Sequence, residues 1–285
     1  HTWYRRFHGV SGPDRLEALI EGLPSFTNFM TGVIKQLKRN NADHLIIDVR
    51  KNRGGISLMS DILVYFLFGK EALARIDAEN YVITYHSRLN VKTASSLSTD
   101  MVNKNRQGSA NLPLTPGDYD FHAMRIWAKR NNQSDYPLIP ASRYRTATDF
   151  FEEYQSNDHS GYFTPRHIHV IGSCDTFSAG FETLSRLIKC GATFVGVPPA
   201  QSGNCFGMAI QPVKGLKHSH VPLQVSVRKI VTFPGDEERG HLLTPDIPLD
   251  LPSFRKYRFR VEAPVLMILD KIGACQQTHH GRLKP

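Results

Sequence analysis

Apolar residues recur along this chain at two spacings, and the changes from one to the other outline its elements. Phe26, Phe29, Met30, Val33, Ile34 and Leu37 follow a 3.6-residue period. That spacing predicts a helix, with Ser25 placed to cap its start. His44-Leu-Ile-Ile-Asp-Val-Arg50 is a short apolar run rich in β-branched residues and predicts a buried strand. Gly54 and Gly55 form a turn, and Leu58, Ile62, Leu63, Phe66 and Leu67 predict a second helix, with Ser57 as its cap. Together these make one unit from about Leu23 to Gly69.

A second unit spans roughly Arg166 to Val197. His167-Ile-His-Val-Ile-Gly172 predicts a strand, Thr176 or Phe177 through Leu187 a helix, and Ala192-Thr-Phe-Val-Gly-Val197 another buried strand. This is a βαβ pattern, with its strand-to-helix turn at Ser173 to Ser178. Phe206 to Phe233 alternates as strands do, and a helix is expected from Pro264 to Ile272. The stretch 70–165 is richer in Asn, Ser, Asp and Arg and weakly periodic, apart from a helix-like piece at Asp149 to Tyr154. It reads as an insertion or loop-rich subdomain within a single α/β domain spanning 1–285.

Composition narrows the class. The chain has 285 residues, 40% hydrophobic and 21% charged, enough for a sizeable core and unlike a disordered protein. The run Ile62 to Phe68 is far shorter than the roughly 20 apolar residues that span a bilayer, so no membrane span is expected. No secretory signal opens the chain. Its first residue is His1 rather than Met, which points to a processed or trimmed product. Lys plus Arg exceed Asp plus Glu by 35 − 26 = 9, yet the basic residues are spread throughout. With no nucleic-acid-binding signature, that charge reads as a basic surface and no nucleic-acid partner is expected. Cys174, Cys190, Cys205 and Cys275 show no C-x-x-C pair or metal-ligand spacing. His218 and His220 form an H-x-H without a spaced third ligand, and no metal or cofactor is expected.

Two turns could carry chemistry. Ser178, where a strand turns into a helix, would sit beside unpaired backbone N–H groups and the positive end of a helix dipole, a setting that favours an oxyanion. The plainer reading is that Ser178 or Thr176 caps the helix. The turn Asp48-Val-Arg-Lys-Asn-Arg-Gly-Gly55 lets backbone approach something closely, or is simply a tight turn; the phosphate-loop pattern is absent.

Taken together, the two turns resemble those of the C-terminal-processing, or tail-specific, serine peptidase family, whose relatives include the tricorn core and the chlamydial protease-like activity factor. The family's D-x-R-x-N-x-G-G is matched by Asp48, Arg50, Asn52, Gly54 and Gly55, and its T-x-S-A by Thr176, Ser178 and Ala179. The block G-E-P-T-G-G-S-P-N-x-F-G is matched at Gly196, Pro198, Ser202, Asn204, Phe206 and Gly207. Val197, Pro199, Ala200 and Gln201 replace its E, T, G and G. P-D-I is matched by Pro245, Asp246 and Ile247.

The resemblance implies a ClpP/crotonase-like ββα superhelix core and hydrolysis of extended or unfolded polypeptide through a serine acyl-enzyme. Ser178 would be the nucleophile, and the N–H of Ala179 with that of Gly54 or Gly55 the oxyanion hole. Asn204 and Phe206 would meet substrate. The block from Gly196 to Gly207 holds no lysine, so the Ser-Lys branch of the family fits poorly. The histidine branch would make His1, in His1-Thr2, the base, with His241 as second choice. Glu237, or its neighbour Glu238, would be the orienting carboxylate. A cap and PDZ-like region would be absent upstream, and a secreted, periplasmic or otherwise extracytoplasmic location is implied. A non-catalytic carrier of peptide or apolar ligand on the same fold, as in retinoid-binding proteins, is the competing reading, and an esterase the third.

Overall fold

A computed structural model describes residues 24–55, 57–85, 119–120, 163–210, 218–221 and 225–273, with Arg5 and residues 8–11. The first helix, α1 (Phe26–Arg39), buries Met30 and Ile34, and the Asn28 N–H donates to Ser25 Oγ at 3.2 Å, the expected cap. Strand β1 (His44–Asp48) follows, then α2 (Leu58–Ala78). Ser57 does not cap α2. Its backbone is already helical, which carries its hydroxyl out of reach of the first-turn N–H groups, and its carbonyl accepts from Ser60 instead. Gly69, at φ +84°, divides α2 into two helical segments, so the apolar periodicity ending at Leu67 belongs to the first.

Next come β2 (Tyr81–Tyr85) and β3 (Tyr119–Asp120). The predicted βαβ unit is present as β4 (His167–Gly172), α3 (Ala179–Lys189) and β5 (Thr193–Gly196). The alternating stretch forms β6 (Asn204–Ile210) and β7 (Val225–Val231). The chain continues through α4 (Glu237–His241), β8 (Ile247–Pro248), α5 (Leu251–Lys256) and α6 (Ala263–Lys271). The helix-like piece at 149–154 lies outside the described residues.

The architecture is the expected α/β type. One sheet runs β1-β4-β5-β8 with all pairs parallel, and a second runs β3-β2-β7-β6 with all pairs antiparallel. The central parallel strands β4 and β5 are mostly buried and apolar because both of their faces are covered. Ile168, Val170 and Phe194 point into a core with Met30, Ile34, Phe66, Leu67, Leu184 and Leu187 from α1, α2 and α3. Ile171 and Val195, one residue out of phase, point to the other face, against Leu249, Met267 and Ile268. Fully burying each such side chain contributes about 1.5–3 kcal/mol. Arg186 on α3 is inside this core. Its guanidinium forms ion pairs with Asp61 of α2 at 2.5 Å and Glu182 at 3.1 Å, fixing how α3 sits on α2. Asp246, of the P-D-I element, accepts the Phe194 N–H at 2.8 Å and holds the chain entering β8 on β5. Among the described residues no helix is long and apolar enough to cross a membrane.

The starts of β1 and β4 carry an unusual cluster. His44 stacks on His167 and His169, with ring centroids 4.6 and 5.8 Å away. Among the described residues, both ring nitrogens of His169 and Nδ1 of His44 are buried without a hydrogen-bond partner. Burial, followed by the neighbouring His44 and His167, lowers the His169 pKa from its ordinary 6.5. The unfolded chain therefore takes up a proton at pH values where folded His169 stays neutral. Stability is full above about pH 6.5 and declines as pH falls below it. The melting temperature should drop between about pH 7.5 and pH 5, and His169→Phe should flatten that profile; equal slopes for both proteins would contradict this.

Candidate active site

Where β1 ends, the chain makes a turn held by its own side chains. Asp48 takes the Arg50 guanidinium on both carboxylate oxygens, at 3.0 and 3.1 Å from Nε and 2.6 Å from Nη2. Arg50 Nη1 donates to the Val261 carbonyl at 2.5 Å, tying the turn to the segment before α6. Burial alone would raise the Asp48 pKa, but hydrogen bonds and charge from Arg50 outweigh it and hold the carboxyl below its ordinary value. These two motif residues therefore shape the turn. Asn52 completes it: its Oδ1 accepts the Gly54 N–H at 3.1 Å, and its carbonyl accepts the Phe177 N–H at 3.0 Å.

The second turn, between β4 and α3, is bolted onto the first. Thr176 is fully buried. Its hydroxyl accepts the Ser173 N–H and donates to the Val49 carbonyl, both at 3.0 Å. Ser173 Oγ donates to the Arg50 carbonyl at 2.6 Å. Gly180 lies so close to the Asn52 carbonyl that a side chain there would collide with it. Gly54, at φ +119°, lies against Ser178: a Cβ on Gly54 would be 2.7 Å from Ser178 Cβ and 3.2 Å from its Oγ. Both glycines are thus required by close approach. The two motifs, more than 120 residues apart in the chain, form one surface.

Ser178 occupies the cap position of α3, but the plain capping reading fails. Its hydroxyl makes no cap hydrogen bond, and its backbone is at φ +53°, ψ −123°, a region that non-glycine residues avoid. Ser178 is exposed, so Oγ is presented outward rather than turned into its own helix. Its carbonyl accepts the Glu182 N–H at 2.9 Å, and its N–H donates to Gln201 Oε1 at 2.6 Å. Among the described residues, the N–H groups of Ala179 and Gly55 have no protein acceptor. The Gly54 N–H is already committed to Asn52.

Other candidates fall elsewhere. Asn204 uses its whole amide on Phe233, donating to the carbonyl at 3.1 Å and accepting the N–H at 3.0 Å, and packs on Gly240. Phe206 is 69% exposed on β6, opposite Lys229. Glu237 opens α4 beside Tyr81, whose phenol is pushed up by burial and then by the charge of Glu237. Among the described residues, no side chain is hydrogen-bonded to Ser178 Oγ, and neither Glu237 nor Glu238 is bonded to a histidine. His241 is exposed at the end of α4. His1 lies outside the described residues. His167 and His169 start β4 and so lie at the opposite end of that strand from the Ser178 turn. Among the described residues no group of His, Cys, Asp and Glu could hold a metal. Cys174, Cys190 and Cys205 are free, and burial raises the Cys190 thiol to about 11. Gln201 is the residue at this site that sequence reasoning did not single out; its only signal was a long polar side chain where the matched block carries glycine.

Comparisons with known proteins return one family model and a solved structure. A solved structure, the "photosystem II D1 C-terminal processing protease", aligns with 79% of this chain at 13% identity and TM-score 0.36; the chain spans 39% of that protein's length. No curated protein matches the sequence. The sequence profile described as peptidase family S41 matches residues 20–249, which include all four motif blocks. This bears out the resemblance to the C-terminal-processing peptidases, and the chain belongs to peptidase family S41.

Proposed function

We propose that the protein is a serine peptidase that hydrolyses extended polypeptide, with Ser178 as nucleophile. The observation that carries this reading is the backbone of Ser178. An exposed serine at φ +53°, ψ −123° on a strand-to-helix turn keeps its hydroxyl out of the helix cap. Strain of that kind costs about 1–3 kcal/mol and persists where surrounding structure over-determines it. Here the Thr176 and Asn52 hydrogen bonds supply that constraint.

In the proposed reaction Ser178 Oγ attacks the peptide carbonyl carbon while its proton passes to a base. The carbonyl oxygen becomes an oxyanion, held by the N–H groups of Ala179 and Gly55 at the positive end of α3. Collapse breaks the C–N bond, and the base returns the proton to the leaving amine. Water then hydrolyses the acyl-enzyme by the same path. We propose His1 as the base and Glu237 as its orienting carboxylate, with His241 as the alternative base. Of the two glycines considered for the oxyanion hole, Gly55 fits better because the Gly54 N–H is occupied. The domain stays proposed as one unit carrying 70–165 as an insertion or loop-rich subdomain, whose first residues complete α2 and form β2 of the second sheet, and its location as extracytoplasmic.

One observation favours the non-catalytic reading, a peptide or apolar-ligand carrier: the absence, among the described residues, of a base bonded to Ser178 Oγ. Labelling separates the two. An alkyl fluorophosphonate should add once to the wild-type chain, at Ser178 by peptide mapping, and not at all to Ser178→Ala. A folded wild type that stays unlabelled would contradict the peptidase. Thr176→Val should both destabilise the fold, by about 1–3 kcal/mol for buried polar groups left unpaired, and slow labelling at least about tenfold. Labelling at the wild-type rate in that variant would show that the Thr176 bridge does not set Ser178.

A further inference from the structure

The geometry points to Gln201 as a positioning residue for the nucleophile, an inference that rests on the proposed role of Ser178. Two peptide planes flank the Ser178 Cα, and their orientations fix its φ and ψ. The plane after it is held by the Glu182 N–H donating to the Ser178 carbonyl at 2.9 Å. The plane before it is held at both ends: the Phe177 carbonyl accepts the Gly180 N–H at 2.9 Å, and within the described residues the Ser178 N–H is held by Gln201, whose Oε1 accepts it at 2.6 Å. That is short for an N–H···O bond. Releasing it would leave that plane held at its carbonyl end alone, removing one of the two bonds that keep Ser178 from the ordinary cap conformation, in which serine hydroxyls bond their own helix. Gln201 therefore satisfies the Ser178 N–H, a donor no cap bond would take, while Oγ makes no bond to its own helix.

The acceptor is delivered from a braced loop. Between β5 and β6, the Val197 N–H donates to the Gly172 carbonyl at 3.4 Å and the Ala200 N–H to the Cys174 carbonyl at 3.3 Å. Beyond Gln201, the Gly203 carbonyl accepts the Thr232 N–H at 3.3 Å. The loop is thus pinned to the nucleophile turn on one side and to the end of β7 on the other. Gln201 is half-buried, which shields its bond from competing water. The matched family block carries glycine at this position, which offers no side-chain acceptor, so the stabilisation belongs to this sequence. The Ala179 N–H lies in the next peptide plane, which stays held by the Glu182 bond, so loss of the Gln201 bond acts on the nucleophile first.

The test uses the 285-residue chain and an alkyl fluorophosphonate. Gln201→Met keeps the length of the side chain and removes the acceptor. Its maximal labelling rate should fall about five- to tenfold, the factor corresponding to one net hydrogen bond, with half-saturating probe concentration unchanged. Hydrogen exchange of the Ser178 amide should accelerate by a similar factor while the Gly180 and Glu182 amides and the melting temperature hold. Gln201→Glu, which keeps an acceptor oxygen at that reach, should restore Ser178 amide protection. Should Gln201→Met fold poorly, Gln201→Asn, one methylene short, gives the same readouts. A labelled wild type with an equally fast Gln201→Met variant overturns this role and leaves the peptidase standing. A slower variant whose Ser178 amide is unchanged overturns it too. A wild type that takes no label at Ser178 sinks the peptidase reading and this role with it.

Discussion

The buried hydroxyl of Thr176 is the junction on which the site depends. It bonds Ser173 within its own turn and Val49 at the end of β1, so the β4–α3 turn cannot move without the β1–α2 turn. Everything placed near Ser178 follows from that constraint. Asn52 can reach Phe177, Gly54 can lie against Ser178, and Gly180 can pass under the Asn52 carbonyl because the two strand ends are locked side by side. A hydroxyl with both of its bonds made inside a core is costly to disturb, since any shift leaves buried polar groups unpaired.

Several residues of the matched motifs hold the shape of the fold. Asp48 and Arg50 clamp the turn to Val261, and Asp246 fastens β8 through the Phe194 N–H. Asn204 closes on Phe233. The blocks follow the ends of β1, β4 and β5 and lead into β8, and the third also carries Asn204, which opens β6 of the second sheet. The strained serine persists for a related reason: the strain at Ser178 is set against the bonds made by Thr176 and Asn52.

The parts of the fold readable in the sequence were those with one dominant cause. The α1 face, the βαβ unit and the alternating β6 and β7 each follow from apolar period, and Ser25 caps because its backbone precedes the helix in extended form. Ser57 looked equivalent and is not, because its own φ and ψ, which sequence does not display, are helical. The same limit applied to Ser178: a cap and an outward-facing hydroxyl have one local sequence, and only the dihedral separates them. Two glycines in a row gave no way to tell which N–H was spoken for until Asn52 was seen to take that of Gly54. Gln201 was visible only as a departure, since a side chain that reaches another loop has no periodicity to announce it.

The central claim is that the two turns build an anion site around Ser178. A crystal structure of the chain after reaction with an alkyl fluorophosphonate tests it most directly. The account predicts a phosphonyl group on Ser178 Oγ with its free oxygen about 3 Å from both the Ala179 and Gly55 nitrogens. An adduct oxygen turned to solvent, with those two N–H groups unengaged, would contradict it.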